Sequence, residues 1–261
     1  MVVPAPAVYE VTSPFELEFT DEADDVHRGL LAALWSTRFE RVRPVRSFPS
    51  YRGQKNFSGL YYAATMDAHV GFESWVERDV AMMLDFDPDT VAFSSQPFWL
   101  TWTQNGDKRR HAPDYFARLA DGTGVVIDVR PDDRIEPPDA EAFAATERAC
   151  REVGWAFRRT GGPGITLAAN VRWLAGYRHS RCCRSEIAKA LLEVFTDPKP
   201  LMSGACDTGD PVAVLPVLYH LMWKHELVAE LKEELLGPGS MVMTKQEGAD
   251  RCPARGQGSS K

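Results

Sequence analysis

Residues 109–131, Arg-Arg-His-Ala-Pro-Asp-Tyr-Phe-Ala-Arg-Leu-Ala-Asp-Gly-Thr-Gly-Val-Val-Ile-Asp-Val-Arg-Pro, constrain this chain more than any other stretch. Two runs rich in apolar residues, 113–119 and 125–129, are joined by Asp121-Gly122-Thr123-Gly124, which predicts a β-hairpin. Asp114 opens the first run, while Asp128 and Arg130 close the second. Side chains two apart on a strand share a face, so Asp128 and Arg130 are expected to point the same way. Two carboxylates and a cation at strand ends can make a divalent-metal site that acts on a phosphate. The same residues would also serve in an ordinary charged surface hairpin.

At 261 residues the chain has room for one large domain or two modest ones. A hydrophobic content of 44% with 26% charged residues is enough for a packed core. Apolar runs are too short to span a bilayer, and Met-Val-Val-Pro-Ala-Pro is no secretory leader, so a soluble, cytoplasmic protein without a membrane partner is expected. Five cysteines argue against a disulfide framework. Cys182-Cys183, with His179 nearby, lacks the Cys-x-x-Cys spacing of structural zinc, and reduced thiols are expected.

The net charge of −7 opposes nucleic-acid binding overall, but the charge is segregated. Arg38, Arg41, Arg43, Arg46, Arg52 and Lys55 face only Glu40 within 38–55. Eight arginines face only Glu152 within 148–184, and the intervening stretch 128–147 is acidic. Basic segments beside an acidic centre suit a phosphate backbone held near a metal. Between Arg38 and Tyr62, arginines also alternate with Phe48, Tyr51, Phe57 and Tyr61, a pattern that can stack on bases or pack as irregular strand.

Read in order, residues 1–37 form an N-terminal extension, partly disordered, with a short helix expected over Val26–Trp35. Residues 71–84 read as a helix with Phe72, Trp75, Val76, Val80, Met83 and Leu84 on one stripe and Glu73 and Glu77 along its edge. Val91–Phe93 and Phe98–Trp102 read as strands, Asn105-Gly106 as a turn, and Pro138–Glu152 as a helix with Asp139 as its cap. Trp155–Phe157 is a further strand. Residues 38–160 are therefore expected to form an α/β domain with helices flanking a mixed sheet.

Gly161-Gly162-Pro163-Gly164 is the clearest linker. Beyond it, Ile165–Tyr177, Ser185–Phe195 and Asp210–His225 read as helices, with Pro216 in the first turn of the last or kinking it. Leu227–Leu236 is a short amphipathic stretch and Met241–Met243 a terminal strand. Residues 165–243 thus fit a small helical, winged-helix-like module, and 244–261 a disordered tail.

Glu77, Pro113-Asp114 and Asp128-Val129-Arg130 together resemble the PD-(D/E)xK signature of restriction-endonuclease-like nucleases. Glu-Arg-Asp-x-x-x-x-Leu-Asp-Phe-Asp-Pro (77–88), Gln96-Pro97, His111-x-Pro-Asp-Tyr-Phe (111–116) and Asp-Val-Arg-Pro (128–131) look like TnsA-type endonuclease subunits of heteromeric transposases. Gly209-Asp210-Pro211 and Leu215–Leu221 extend the likeness towards residue 243. The resemblance implies a restriction-endonuclease-like fold followed by a winged-helix-like domain. It also implies Mg²⁺-dependent nicking of the 5′ strand at transposon ends. A DDE-type transposase partner would cut the 3′ ends, and an AAA+ ATPase regulator would contact the C-terminal module.

Carried onto this chain, the resemblance assigns the metal site to Glu77, Asp114 and Asp128, with the Val129 carbonyl assisting and Glu73 competing with Glu77. The ion is Mg²⁺, or Mn²⁺ in its place. Arg43, Arg46, Arg52, Lys55, Arg110 and His111 are the expected contacts to double-stranded DNA. Two departures stand out: Arg130 replaces the family's usual lysine, and Asp128 replaces a longer Glu or Gln. Arginine stays protonated and cannot act as a general base, though its planar fork can stabilise phosphate charge. Two functions follow: an active nuclease in which Glu77, Asp114, Asp128 and Arg130 are catalytic, or an adaptor with a lapsed site that binds DNA and partner proteins.

Overall fold

The computed structural model describes residues 14–46 and 57–245. Arg52 and Lys55, two of the expected DNA contacts, lie outside the described residues, as do Phe48, Tyr51 and the tail from 246. The chain divides into two compact units, Met1–Ala168 and Ala169–Lys261. It is a mixed α/β protein, and among the described residues no helix is long and apolar enough to cross a membrane.

The first unit opens with β1 (Glu16–Thr20), in which Leu17 and Phe19 are buried with Phe15 while Glu16 and Glu18 face outwards. Such period-two alternation is a strand pattern. Asp21 then makes a turn, its Oδ1 accepting from the amides of Ala23 and Asp25, and the chain returns antiparallel as β2 (Val26–Leu30). Only Leu31–Leu34 is helical (α1). The helix expected over Val26–Trp35 is therefore mostly strand. Leu30, Leu31 and Leu34 have helical spacing, but pairing with β1 satisfies the backbone of 26–30 first.

A hairpin of β3 (Gly59–Ala63) and β4 (Ala68–Phe72) leads into α2 (Trp75–Phe86). The helix begins later than the hydrophobic periodicity predicts because Phe72 ends a strand and Ser74 caps the helix. The expected stripe is partly realised: Val80 and Leu84 are buried, whereas Trp75 is half exposed. Six strands follow: β5 (Thr90–Ser95), β6 (Trp99–Gln104), β7 (Asp107–His111), β8 (Tyr115–Leu119), β9 (Gly124–Val129) and, after α3 (Pro137–Val153), β10 (Ala156–Thr160). Asn105 and Gly106, both at positive φ, make the tight turn that lets β7 pair with β6.

These strands build two sheets, β2-β1-β6-β7 and β10-β9-β8-β5. The second is mixed: β5, β8 and β9 are antiparallel, while β9 and β10 run parallel across the α3 crossover. Phe39, Phe98, Phe116 and Trp155 form its aromatic core, with Trp155 edge-on to Phe39 at 5.5 Å and to Phe116 at 5.2 Å. A Cβ on Gly124 would come within 2.7 Å of Phe116 and 2.9 Å of Trp155, so the start of β9 needs glycine. The cap of α3 also differs from expectation. Glu136 is the N-cap, and Asp139 sits at the third helical position, closing a capping box with Glu136.

The division between units falls within α4 (Ile165–Ala175). The second unit continues with α5 (Ser185–Val194), β11 (Lys199–Pro200), α6 (Leu201–Thr208), α7 (Pro211–Trp223), β12 (Leu227–Ala229) and β13 (Met241–Thr244). Its sheet order is β11-β13-β12. Asp210 caps α7, and Pro216 lies inside that helix, past its first turn. Helix α6 has no counterpart in the sequence expectations. After β12 the stretch to Leu236 is irregular and is held by the buried Asn170. Its Nδ2 donates to the carbonyls of Leu231 (2.9 Å) and Glu234 (2.7 Å), and its Oδ1 accepts from the Leu236 amide (2.8 Å).

Candidate metal and phosphate site

The hairpin register sets the two aspartates opposite each other. Tyr115 pairs with Ile127, so the next step out brings Asp114 beside Asp128. Asp114 Oδ2 accepts from the Val129 amide at 2.6 Å, and the Asp114 carbonyl accepts from the Gln96 amide at 2.8 Å. Asp128 is 1% exposed. Its Oδ1 lies 2.8 Å from His111 Nε2, and since a carboxylate can only accept, the imidazole carries its proton on Nε2. Asp128 Oδ2 is buried with no hydrogen-bond partner among the described residues. His111, an expected DNA contact, is thus a partner of Asp128, with its ring edge-on to Phe143 of α3.

Glu77 arrives from the first turn of α2. Its amide donates to Ser74 Oγ at 3.2 Å, and its carboxylate accepts from the Glu73 amide (2.7 Å) and the Ser74 hydroxyl (2.8 Å). Ser74 thus caps α2, and Glu77 reaches back past it to the Glu73 amide, a variant of the arrangement that Ser74-x-x-Glu77 signals in sequence. Glu73 precedes the helix, so the two glutamates do not lie one helical turn apart as expected. The buried Tyr115 hydroxyl donates to the Glu77 carbonyl at 3.1 Å, tying the start of α2 to the residue after Asp114. Burial and the neighbouring Glu77 and Asp114 charges hold that phenol well above its usual pKa, so it stays a donor.

Electrostatics tie the three carboxyl groups together. Burial raises the Asp114 pKa well above the usual carboxylate range, and repulsion from Asp128 and Glu77 adds to it. Burial also raises Glu77, against the Glu73 amide and Ser74 hydroxyl that stabilise its charged form. Among the described residues no three His, Cys, Asp or Glu side chains converge closely enough to hold a metal as they stand. Their donor set nevertheless suits a hard cation. Mg²⁺ takes one or two carboxylates and keeps several waters, and the partnerless Asp128 oxygen beside Asp114 is an uncompensated acceptor of that kind.

The basic residues divide. Arg46 Nη2 donates to Glu73 Oε2 at 2.8 Å, and Arg110 stacks on Trp99 with 4.2 Å between its Cζ and the ring centroid. Arg43 pairs instead with Asp24 at 2.9 Å and donates to the Glu22 carbonyl. Arg130 follows Asp128 on the face towards α3, as alternation predicts, but its Nη2 donates to Asp139 Oδ1 at 3.1 Å. Gln96 was expected only as part of a Gln-Pro pair. It is 1% exposed, at φ 45°, and both its side-chain polar atoms lack partners among the described residues. No periodicity or spacing marks it as such.

A comparison with curated proteins finds no match for the chain. Residues 87–160, which carry Asp114, Asp128 and Arg130 but not Glu77, match the family model described as TnsA-like endonuclease N terminal, consistent with a TnsA-like endonuclease subunit.

Proposed function

We propose that this chain is a metal-dependent DNA endonuclease subunit of a heteromeric transposase, hydrolysing phosphodiester bonds by nicking the 5′ strand at transposon ends. One observation carries the reading: Asp114 and Asp128 stand opposite each other at strand ends, within electrostatic reach of Glu77, and Asp128 Oδ2 is buried without a partner among the described residues. The matched family segment surrounds both aspartates.

Asp114 and Asp128 would hold Mg²⁺ or Mn²⁺, with Glu77 and the Val129 carbonyl in support. The ion would supply a water of lowered pKa and neutralise charge on the scissile phosphate. His111 holds one Asp128 oxygen, leaving the other for the ion. Tyr115 and the Val129 amide fix the spacing of Glu77 and Asp114. Helix α2, the β5-β8-β9 ladder, the α3 crossover and parallel β10 support a restriction-endonuclease-like reading of the first unit. The order α5-β11-α6-α7-β12-β13, with β13 central in its sheet, supports a winged-helix-like reading of the second. A DDE-type transposase and an AAA+ ATPase regulator are the partners this reading requires.

The test is nicking of element-end DNA by the full chain with Mg²⁺ or Mn²⁺ and a DDE-type partner transposase. Asp114→Ala should abolish the nick, and unchanged cutting by that variant would sink the proposal. The second reading, a non-cleaving adaptor for DNA and partner proteins, is favoured by the engagement of Arg130 with Asp139. Calorimetric titration with Mn²⁺ separates the two, since an adaptor shows no binding that depends on Asp114 and Asp128.

A further inference from the structure

The acid-x-cation motif places a positive charge at Arg130, but the fold directs that charge elsewhere. Arg130 Nη2 bonds Asp139 Oδ1, and the other Asp139 oxygen accepts from the Glu136 amide at the capping box of α3. Arg130 thereby clamps the end of β9 to the start of α3. Its own amide and carbonyl are engaged by Thr160 and Arg159.

Arg46 reaches the carboxylates by a main-chain route. The Val45 amide donates to the Gln96 carbonyl at 2.9 Å, and the Gln96 amide donates to the Asp114 carbonyl at 2.8 Å. These two steps set the segment ending at Arg46 beside Gln96, which in turn bonds Asp114. The Arg46 side chain then bonds Glu73 Oε2 at 2.8 Å, and the Glu73 amide bonds the Glu77 carboxylate at 2.7 Å. Arg46 is thereby joined to the Glu77 carboxylate through Glu73, whereas Arg130 is held by Asp139. The guanidinium also lies 5.9 Å from the Trp99 ring on which Arg110 stacks, so two cations share one aromatic platform.

We propose that Arg46 is the phosphate-facing cation of this site, standing in for Arg130, and that a DNA phosphodiester competes with Glu73 for its guanidinium. The inference rests on the nuclease reading above and deepens it. The Arg46–Glu73 pair is partly exposed, with side chains 39% and 26% accessible, and pairs of that kind contribute little net stability. A phosphate oxygen pair matches the planar fork and can take over the contact. Arg46 transfers no proton in this role; it supplies fixed charge.

The test compares Arg46→Gln, Arg46→Lys, Arg130→Gln and Asp114→Ala in the full chain. Affinity for a short fluorescein-labelled DNA duplex is read by anisotropy across a salt series with Ca²⁺ present. Arg46→Gln should flatten the plot of log affinity against log salt by about one unit, with Arg46→Lys restoring the slope. Arg130→Gln should flatten it less. With Mn²⁺, the partner transposase and a supercoiled plasmid carrying the element end, Arg46→Gln should lose about tenfold more nicking than Arg130→Gln. A slope loss in Arg130→Gln equal to or greater than that in Arg46→Gln overturns the inference. If Asp114→Ala nicks like the unmodified protein, or neither nicks, the nuclease reading fails while the salt series still decides the place of Arg46.

Discussion

The Val129 amide donates to Asp114 Oδ2 at 2.6 Å, so the strand bearing Asp128 also fixes the carboxylate opposite it. The contact stabilises the ionised form of Asp114, yet burial and the charges of Asp128 and Glu77 outweigh it and raise the pKa. The protein thus holds an aspartate in a place that disfavours its charge, an arrangement often found where function requires it.

Stability should carry the mark of that arrangement. A carboxyl whose pKa is raised by folding contributes stability that is complete below the unfolded value and is lost as pH rises through the folded one. Asp114→Asn keeps an oxygen to accept from Val129 and removes the charge. It should therefore raise the melting temperature at neutral pH by a few degrees, with the gain vanishing as pH falls below the ordinary carboxylate value of about 4. Melting curves without divalent metal check this, and parallel pH profiles for the two proteins would contradict it.

Cation binding should relieve the same repulsion. Mg²⁺ or Mn²⁺ at about a hundredfold above its dissociation constant should add about 2.7 kcal/mol of stability. Asp114→Ala combined with Asp128→Ala should remove the increment, as read by thermal unfolding with and without metal. An equal increment in the double variant would place the ion elsewhere.

Replacing His111 tests how Asp128 is tolerated in the core. His111→Ala leaves a 1% exposed carboxylate with neither oxygen partnered among the described residues and should cost about 1–3 kcal/mol in urea unfolding. His111→Gln retains a donor and should recover part of the loss.

Asp85, in the Leu-Asp-Phe-Asp-Pro stretch, is a structural anchor. It is buried and accepts from the Tyr61 hydroxyl (2.9 Å) and the amides of Ala64 (3.1 Å) and Thr65 (2.8 Å), fastening α2 to the β3–β4 hairpin. Asp85→Ala should cost about 3 kcal/mol or more because three donors lose a charged acceptor together. Denaturant unfolding of the full chain measures it, and a loss below about 1 kcal/mol would refute the anchoring role.

In the second unit, Asn170→Ala strands two carbonyls and one amide of the 231–236 loop. The expected cost is about 2–4 kcal/mol, accompanied by faster hydrogen exchange at Leu236. Protection at Leu236 equal to that of the unmodified chain would show that another contact holds the loop.

Much of this was legible because it depends on neighbours in sequence. Asp121-Gly122 announces the hairpin, and alternation sends Asp128 and Arg130 to one face. The Gly-rich 161–164 segment precedes the change to helical character. What failed also has a local explanation. Leu30, Leu31 and Leu34 have helical spacing, yet β1 claims residues 26–30 by pairing. Asp139 looked like a cap, but Glu136 stands at the boundary and Asp139 completes the box from within. Glu77 stands in the sequence reading as an edge residue of the α2 stripe and a metal ligand, while Ser74, three residues before it, also marks it as a partner at the helix cap.

The sequence by itself determined the order of the chemistry: a helical glutamate, an aspartate at one strand end, and an acid and a cation at the next. Only the tertiary structure decided which charges meet. Arg130 shares a face with Asp128 because side chains alternate along a strand, but α3 packs on that face and Asp139 takes the guanidinium. Arg46, distant in sequence from the hairpin, has its neighbour Val45 bonded to Gln96 and meets Glu73, whose amide holds the Glu77 carboxylate. Periodicity fixes the direction of a side chain; which partner waits there depends on long-range packing, which a one-dimensional pattern does not contain.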